Sequence, residues 1–169
     1  MVGPGYSVAM RIRPETPADR AAVHAVNLAA FGAPAEADLV ERLHADGDAV
    51  ISLVAIEDQA IVGHVMFSKM TAPFRALGLA PVAVRPDRQG QGVGAALIRE
   101  GLAQAAAAGW RGVFCLGNPA YYTPFGFDVA LAGGFSSPYA GPYLMALALN
   151  GPLPATTGEI GYARAFSDL

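Results

Sequence analysis

Residues 77–99 run Leu-Gly-Leu-Ala-Pro-Val-Ala-Val-Arg-Pro-Asp-Arg-Gln-Gly-Gln-Gly-Val-Gly-Ala-Ala-Leu-Ile-Arg. An apolar strand passes here into a glycine-rich turn and then into a helix. Gly90, Gly92 and Gly94 alternate where the helix should begin. Glycine admits φ > 0 and lets a ligand approach the backbone closely. The first N–H groups of a helix have no partners within it, and the helix dipole places positive charge at the same end. A strand–turn–helix of this kind is a ready anion site, suited to a phosphate or pyrophosphate.

The 169 residues suit one domain with a full core, here 1–169 with a core of about 8–168. Hydrophobic residues make up 53% and charged residues 15%, which excludes a disordered chain. The net charge is −3 with no long basic run, so electrostatic binding of nucleic acid is not expected. A single cysteine, Cys115, excludes an internal disulfide framework and accords with a reducing cytoplasm. Met1 to Met10 lacks the charged and apolar regions of a signal peptide. The apolar stretch Val93–Trp110 is interrupted by Arg99, Glu100 and Gln104 and does not read as a membrane span. The expectation is a cytoplasmic protein without membrane or nucleic-acid partners. No Cys/His cluster has metal-ligand spacing, and no metal is expected.

Along the chain, Tyr6–Arg13 alternates and reads as a strand. Thr16 can cap a helix with Pro17 at its first position, running to about Ala30 with Val23, Val26, Leu28 and Ala30 as packing residues. A second helix covers Ala35–Ala45. Val50–Glu57 and Ile61–Met70 form a hairpin around Asp58-Gln59-Ala60. Leu77–Arg85 is the strand before the glycine turn, Gly92–Ala108 the long helix, and Gly109 its stop. Val113–Leu116 is a short buried strand, and Ala120–Phe125 a short helical turn. Phe127–Leu131, Tyr143–Leu149 and Ile160–Phe166 read as further strands. The order indicates a mixed α/β sheet with helices on both faces. Pro81 breaks the pattern, because proline cannot donate to a ladder. Its strand is either at an edge or bulged near Pro81, and a bulge would leave backbone groups free for a ligand.

Three anion-binding turns compete. A P-loop needs Gly-Lys-Ser or Gly-Lys-Thr, and Val93-Gly94-Ala95 stands there instead. A dinucleotide fingerprint needs an acid about 20 residues on, whereas the next strand ends Cys115-Leu116-Gly117-Asn118. The third fits. Gln89-Gly90-Gln91-Gly92-Val93-Gly94 resembles the Gln/Arg-x-x-Gly-x-Gly/Ala signature of the GNAT family of N-acetyltransferases, and Tyr122-Thr-Pro-Phe-Gly126-Phe127 resembles its Tyr-x-x-x-Gly-Phe segment. Val84-x-Pro86, Leu79-Ala-Pro-Val-Ala-Val84, Gly117-Asn-Pro-Ala-Tyr-Tyr122 and Gly161-Tyr-Ala-Arg-Ala-Phe166 are similar to a YhbS-like bacterial branch of it.

The resemblance implies an α/β (α+β) fold with a mostly antiparallel sheet of six to seven strands and a splayed central strand. It implies acetyl-CoA as co-substrate, no metal, and a primary amine of a small molecule or protein as acceptor. A homodimer is common in such a family. The pantetheine arm would lie along Val82, Ala83 and Val84, and the pyrophosphate against Gln89, Gly90, Gln91, Gly92, Val93 and Gly94. Arg85 and Arg88 either add charge there or are solvated surface arginines. Asn118 would meet the pantetheine, although its spacing to Tyr122 is shorter than common. Tyr122 rather than Tyr121 would protonate the departing thiolate, or else is a buried aromatic with a satisfied hydroxyl.

The attacking amine must first lose a proton, at a cost of roughly 4–5 kcal/mol for a lysine-like pKa of ~10.4 at pH 7. His64, on the strand beside the cofactor strand, is the first candidate base or else a structural histidine of an apolar strand, with Glu36 and Asp38 as alternative bases. His24 and His44 read as helix-surface residues, and Cys115 as a buried inert thiol. Acceptor contacts are expected from Phe31–Asp46 and Ser136–Tyr143. Phe31, Phe74, Phe135 and Tyr139 either line that site or belong to the core. A non-catalytic acyl-CoA-binding module is the other reading of the same motifs.

Overall fold

The structure, a computed structural model, describes residues 10–169. A six-stranded sheet runs in the order β1 (Arg11–Pro14), β2 (Ala49–Glu57), β3 (Ala60–Lys69), β4 (Ala76–Val84), β5 (Gly112–Leu116) and β7 (Leu144–Ala148). All neighbours are antiparallel except β4 and β5. β6 (Phe135–Ser136) and β8 (Gly158–Glu159) form a small parallel pair apart from it. Of the first predicted strand, residues 6–9 lie outside the described residues.

Helices cover both faces. α1 (Arg20–Phe31) and α2 (Ala35–Ala45) bring Val23, Leu39, Val40 and Leu43 onto Val54, Ile56 and Met66. α3 (Val93–Ala107) brings Val93, Leu97 and Ile98 onto Leu53, Ala55, Val65 and Phe67. Successive strand residues point to opposite faces, so two covered faces require nearly continuous apolar strands, which β2 and β3 are. Two-residue Asp58-Gln59 turns β2 into β3 with both residues at positive φ, a backbone matched to strand twist. Thr16 opens the path to α1 through a 3-10 turn at Pro17–Asp19, where the Thr16 N–H donates to Asp19 Oδ2 at 2.7 Å. Leu28, expected to pack, is exposed, and Asn27 takes the inward position instead.

Pro81 is resolved in favour of the bulge. β4 lies inside the sheet, and the β3–β4 register shifts between the pairs Val82–Val65 and Leu79–Phe67. The extra residue falls at Ala80-Pro81, whose peptide bond is cis. A residue without an N–H is accommodated where the ladder is already interrupted.

Two predicted strands are absent. Residues 127–131 form only a bridge at Asp128, after which Asp128 Oδ1 accepts from the Ala130 N–H at 2.8 Å and caps α5 (Val129–Ala132). Residues 160–166 give a bridge from Gly161 to Thr71 and then a 3-10 turn at Arg164–Asp168. Tyr162 and Phe166, four apart, pack ring to ring with centroids 5.0 Å apart, a helical rather than a strand spacing.

Candidate active site

β4 pairs with β5 only from Ala76 to Gly78 and then parts from it. On the β3 side the Arg85 N–H donates to Val62, and Ala83 faces His64. Alternation in an antiparallel ladder therefore turns the backbone groups of Val82 and Val84 toward the gap. Gln89 Nε2 donates to the Val84 carbonyl at 3.0 Å, leaving the Val82 N–H and C=O and the Val84 N–H facing the opening.

Below the gap lies the glycine turn. Gly90 (φ 75°) and Gly92 (φ 87°) are left-handed, with open space around both. Gly92 caps α3, so the N–H groups of Val93, Gly94 and Ala95 begin the helix without partners inside it. Gly94 serves differently, because a Cβ there would lie 2.9 Å from Tyr121 Oη.

Tyr121 and Tyr122 come from α4 (Pro119–Tyr122), capped by Asn118 Oδ1 accepting from the Ala120 N–H at 3.0 Å. A 3-10 turn at Thr123–Phe125 follows and ends at Gly126 with φ 108°. Phe127 is thereby buried against the edge of the Tyr122 ring, 5.9 Å between centroids. The ring also covers Gly117, where a Cβ would come 2.6 Å from Cε2. This is the local reason for tyrosine, glycine and phenylalanine at that spacing. Burial pushes the Tyr122 phenol up to about 12.

Two cavities meet at Tyr122. The first, about 320 Å³, is lined by Val82, Val84, Arg88, residues 89–90 and 92–95, and both tyrosines. The second, about 220 Å³, lies beyond and is lined by Glu36, Leu39, Pro81, Leu116 and Phe166 among others. Phe31, Val82 and Tyr122 border both. A helix start with free N–H groups, a strand edge with unpaired backbone groups and a phenol held near 12 thus lie along one trough.

The remaining sequence-predicted residues lie as follows. Ala83 is buried, and its side chain is outside both cavities. Gln91 donates to the Asp87 carbonyl on the rim. Arg88 reaches the first cavity while bonded to Glu57 at 3.2 Å, whereas Arg85 pairs with Asp87 at 2.6 Å and borders a different groove. The Asn118 side chain is occupied as a cap and lines neither cavity. Phe135 is core, Phe74 packs partly buried against it, and Tyr139 lies against Tyr162. Phe166, read from sequence as part of a strand, instead walls the far cavity; only its four-residue spacing from Tyr162 hinted at the turn. Cys115 is buried, which pushes its thiol up to about 12.

His64 is not brought to the trough. It is fully buried, with Nδ1 3.1 Å from Asn27 Nδ2 and Nε2 2.8 Å from Ser52 Oγ. The amide nitrogen can only donate, so Nδ1 is the acceptor and Nε2–H points to Ser52. Ser52 in turn donates to Glu15, which also meets His44 at 2.9 Å and Arg20 at 2.6 Å. His44 is therefore an inward partner rather than a surface residue. Burial holds His64 below the ordinary histidine range, against the opposing pull of Glu15. Burial would raise the Glu15 carboxyl, but hydrogen bonds from His44, His64, Ser52 and Arg20 outweigh it and hold the group well below the carboxylate range.

The model of the acetyltransferase (GNAT) family matches residues 20–127. The chain belongs to this family. It is 38% identical over 125 residues to the uncharacterized N-acetyltransferase YhbS of Escherichia coli K12, covering 72% of this chain and 75% of that protein. It is also 38% identical over 133 residues to the uncharacterized N-acetyltransferase YjhQ of the same strain, 73% of each. The crystal structure of Escherichia coli YhbS in complex with CoA superposes with a TM-score of 0.89 at 30% identity, over 98% of this chain and 96% of that one. A GNAT family acetyltransferase from Brucella melitensis in complex with acetyl-CoA gives 0.81 at 38% identity, over 95% and 99%. The mixed sheet with its parted β4 and β5 is the GNAT fold. Among the described residues no helix is long and apolar enough to cross a membrane.

Proposed function

We propose that this chain, as one N-acetyltransferase domain, moves the acetyl group of acetyl-CoA to a primary amine by direct attack. The observation that carries the reading is the meeting of two cavities at Val82 and Tyr122, one of them ending on the glycine turn. Two relatives of high structural similarity were crystallised with CoA or acetyl-CoA, which supports the same donor here.

In this reading the pyrophosphate lies on the N–H groups that open α3, where dipole and free donors coincide. The pantetheine arm pairs with the unpaired backbone groups of Val82 and Val84, as an added strand would. The neutral amine attacks the thioester carbon. The C–N bond forms, the C–S bond breaks, and the electron pair goes to sulfur. Tyr122 gives its proton to the thiolate, and the surplus proton on nitrogen restores Tyr122 by way of solvent. A phenol held near 12 is fully protonated at neutral pH and is suited to act as the acid. His64, enclosed and bonded at both nitrogens, is assigned to holding β3 against α1 rather than to the base.

The test is a thiol-release assay with acetyl-CoA and a panel of primary amines, alongside calorimetric titration of acetyl-CoA. Thiol release matched by amide formation is the expected result. Acetyl-CoA binding with no release across the panel would instead favour a non-catalytic acyl-CoA-binding module.

A further inference from the structure

We infer that the cavity beyond Tyr122 receives a small primary monoamine with an apolar body, and that Glu36 holds its ammonium group and takes its proton. The inference rests on the transferase reading above and names the acceptor class for that site.

Four observations carry it. The cavity joins the donor trough through Phe31, Val82 and Tyr122, so a group in it faces the same junction as a thioester laid along β4. Its walls include Leu39, Leu79, Pro81, Leu116 and Phe166, which favour an apolar body. Among the described residues Glu36 is the one acidic side chain in the lining, and none of the lining side chains is basic. Its volume of about 220 Å³ is below the ~300–1,000 Å³ of pockets for drug-sized ligands, which restricts the occupant to a small molecule.

Glu36 stands in the first turn of α2 and is half-buried. Among the described residues no side chain is ion-paired or hydrogen-bonded to it, whereas Glu15, Glu41 and Glu57 all have partners. A carboxylate left without a partner beside an apolar wall suits one cationic group and only one. A carboxylate on the acceptor would meet Glu36 as a like charge. Among the lining side chains a second ammonium would meet leucine, proline and phenylalanine and no second acid, with Glu36 already engaged.

The step balances. The ammonium gives one proton to the Glu36 carboxylate, which passes it to water through the open mouth. The neutral nitrogen then attacks as described, and the nitrogen's second proton leaves as Tyr122 is restored. The net change is one ammonium and one thioester giving one amide, one thiol and one released proton.

The experiment compares 2-phenylethylamine, phenylalanine, 1,5-diaminopentane and a lysine-containing peptide as acceptors for the full chain. The first is expected to exceed each of the others at least tenfold in kcat/KM. Glu36→Gln is expected to lower kcat/KM for 2-phenylethylamine by about 10²-fold near pH 7.5, as loss of a general base does. Its affinity for acetyl-CoA should match the parent, which also reports a folded variant, and Glu36→Asp should recover part of the loss. The deficit should shrink as the pH approaches ~10, where the free amine is already neutral. Equal or better use of phenylalanine, the diamine or the peptide would overturn the inference, as would a Glu36→Gln deficit that is absent or independent of pH. Acetyl-CoA binding with no amine acetylated would overturn the transferase reading itself, and this inference with it.

Discussion

The ring of Tyr162 lies against Gly78, the last residue of β4 that pairs with β5; a Cβ on Gly78 would sit 2.8 Å from both Cδ1 and Cε1. The contact is made where the two strands begin to part, by a residue from the far end of the chain. Gly78→Ala must push the ring or the strand aside. Overpacking of this kind costs typically 1–3 kcal/mol, or about 2–4 °C in Tm per kcal/mol for a chain of this length. Thermal unfolding should show the loss. The double variant Gly78→Ala, Tyr162→Leu should be less destabilised than the sum of the singles, since both act on one contact.

Tyr122→Phe keeps the ring that fills the space over Gly117 and removes only the hydroxyl. If Tyr122 is the acid, kcat for acetyl transfer should fall by about 10²-fold with little change in acetyl-CoA affinity. The parent phenol, held near 12, is half ionised only near that pH. Its pH–rate profile should therefore show no alkaline decline from this group below about pH 11. An unchanged kcat in steady-state thiol release would remove Tyr122 from the chemistry.

Gly92→Ala adds a methyl group into open space, so any effect comes from the left-handed backbone alone. That conformation costs a non-glycine residue about 1–2 kcal/mol. If the turn relaxes to avoid the strain, the N–H groups opening α3 shift, and acetyl-CoA should bind roughly tenfold more weakly by calorimetry. Unaltered affinity would show that this turn is not the cradle.

The buried cluster around Glu15 predicts acid sensitivity in two stages. His64 has a folded pKa below its unfolded value near 6.5, so its contribution is present above that pH and declines as the pH falls through it. Glu15 is likewise depressed, and its contribution is complete above the unfolded value near 4.3 and declines below it. Urea unfolding at stepped pH should show both windows. Glu15→Gln should cost roughly 1–3 kcal/mol at neutral pH, because it weakens the charge-assisted hydrogen bonds from His44, Ser52 and Arg20, the last of which is partly exposed and screened by solvent. It should also lack the lower window.

Much of the trough around the glycine turn is legible locally. Alternating glycines before an apolar helix encode left-handed residues and an open helix start, because both properties belong to a few consecutive residues. The tyrosine, glycine and phenylalanine at 122, 126 and 127 encode a capped turn for the same reason. Pro81 announced a disturbed ladder but not whether it was an edge or a bulge. That depended on β3, which supplies the opposing register.

His64 shows where local reading ends. Its strand and its place beside β4 follow from the alternating pattern. Its environment does not, because Asn27, Ser52, Glu15, His44 and Arg20 come from four other stretches of chain. The same holds for Phe166, whose alternating neighbourhood suggests a strand. Packing on Tyr162 instead makes it one wall of the far cavity.

By itself, then, the sequence determined the glycine turn that opens an apolar helix, the bulge-prone strand before it, the tyrosine after it, and from these the family. Tertiary structure alone decided that β4 parts from β5 after Gly78, that His64 is enclosed, and that Glu36 stands beside an apolar cavity without an ion-pair or hydrogen-bond partner among the described residues. The physical reason is range. Turns, caps and left-handed glycines are set by neighbours a few residues apart. Burial, charge pairing and the shape of a cavity are set by residues that only folding brings together.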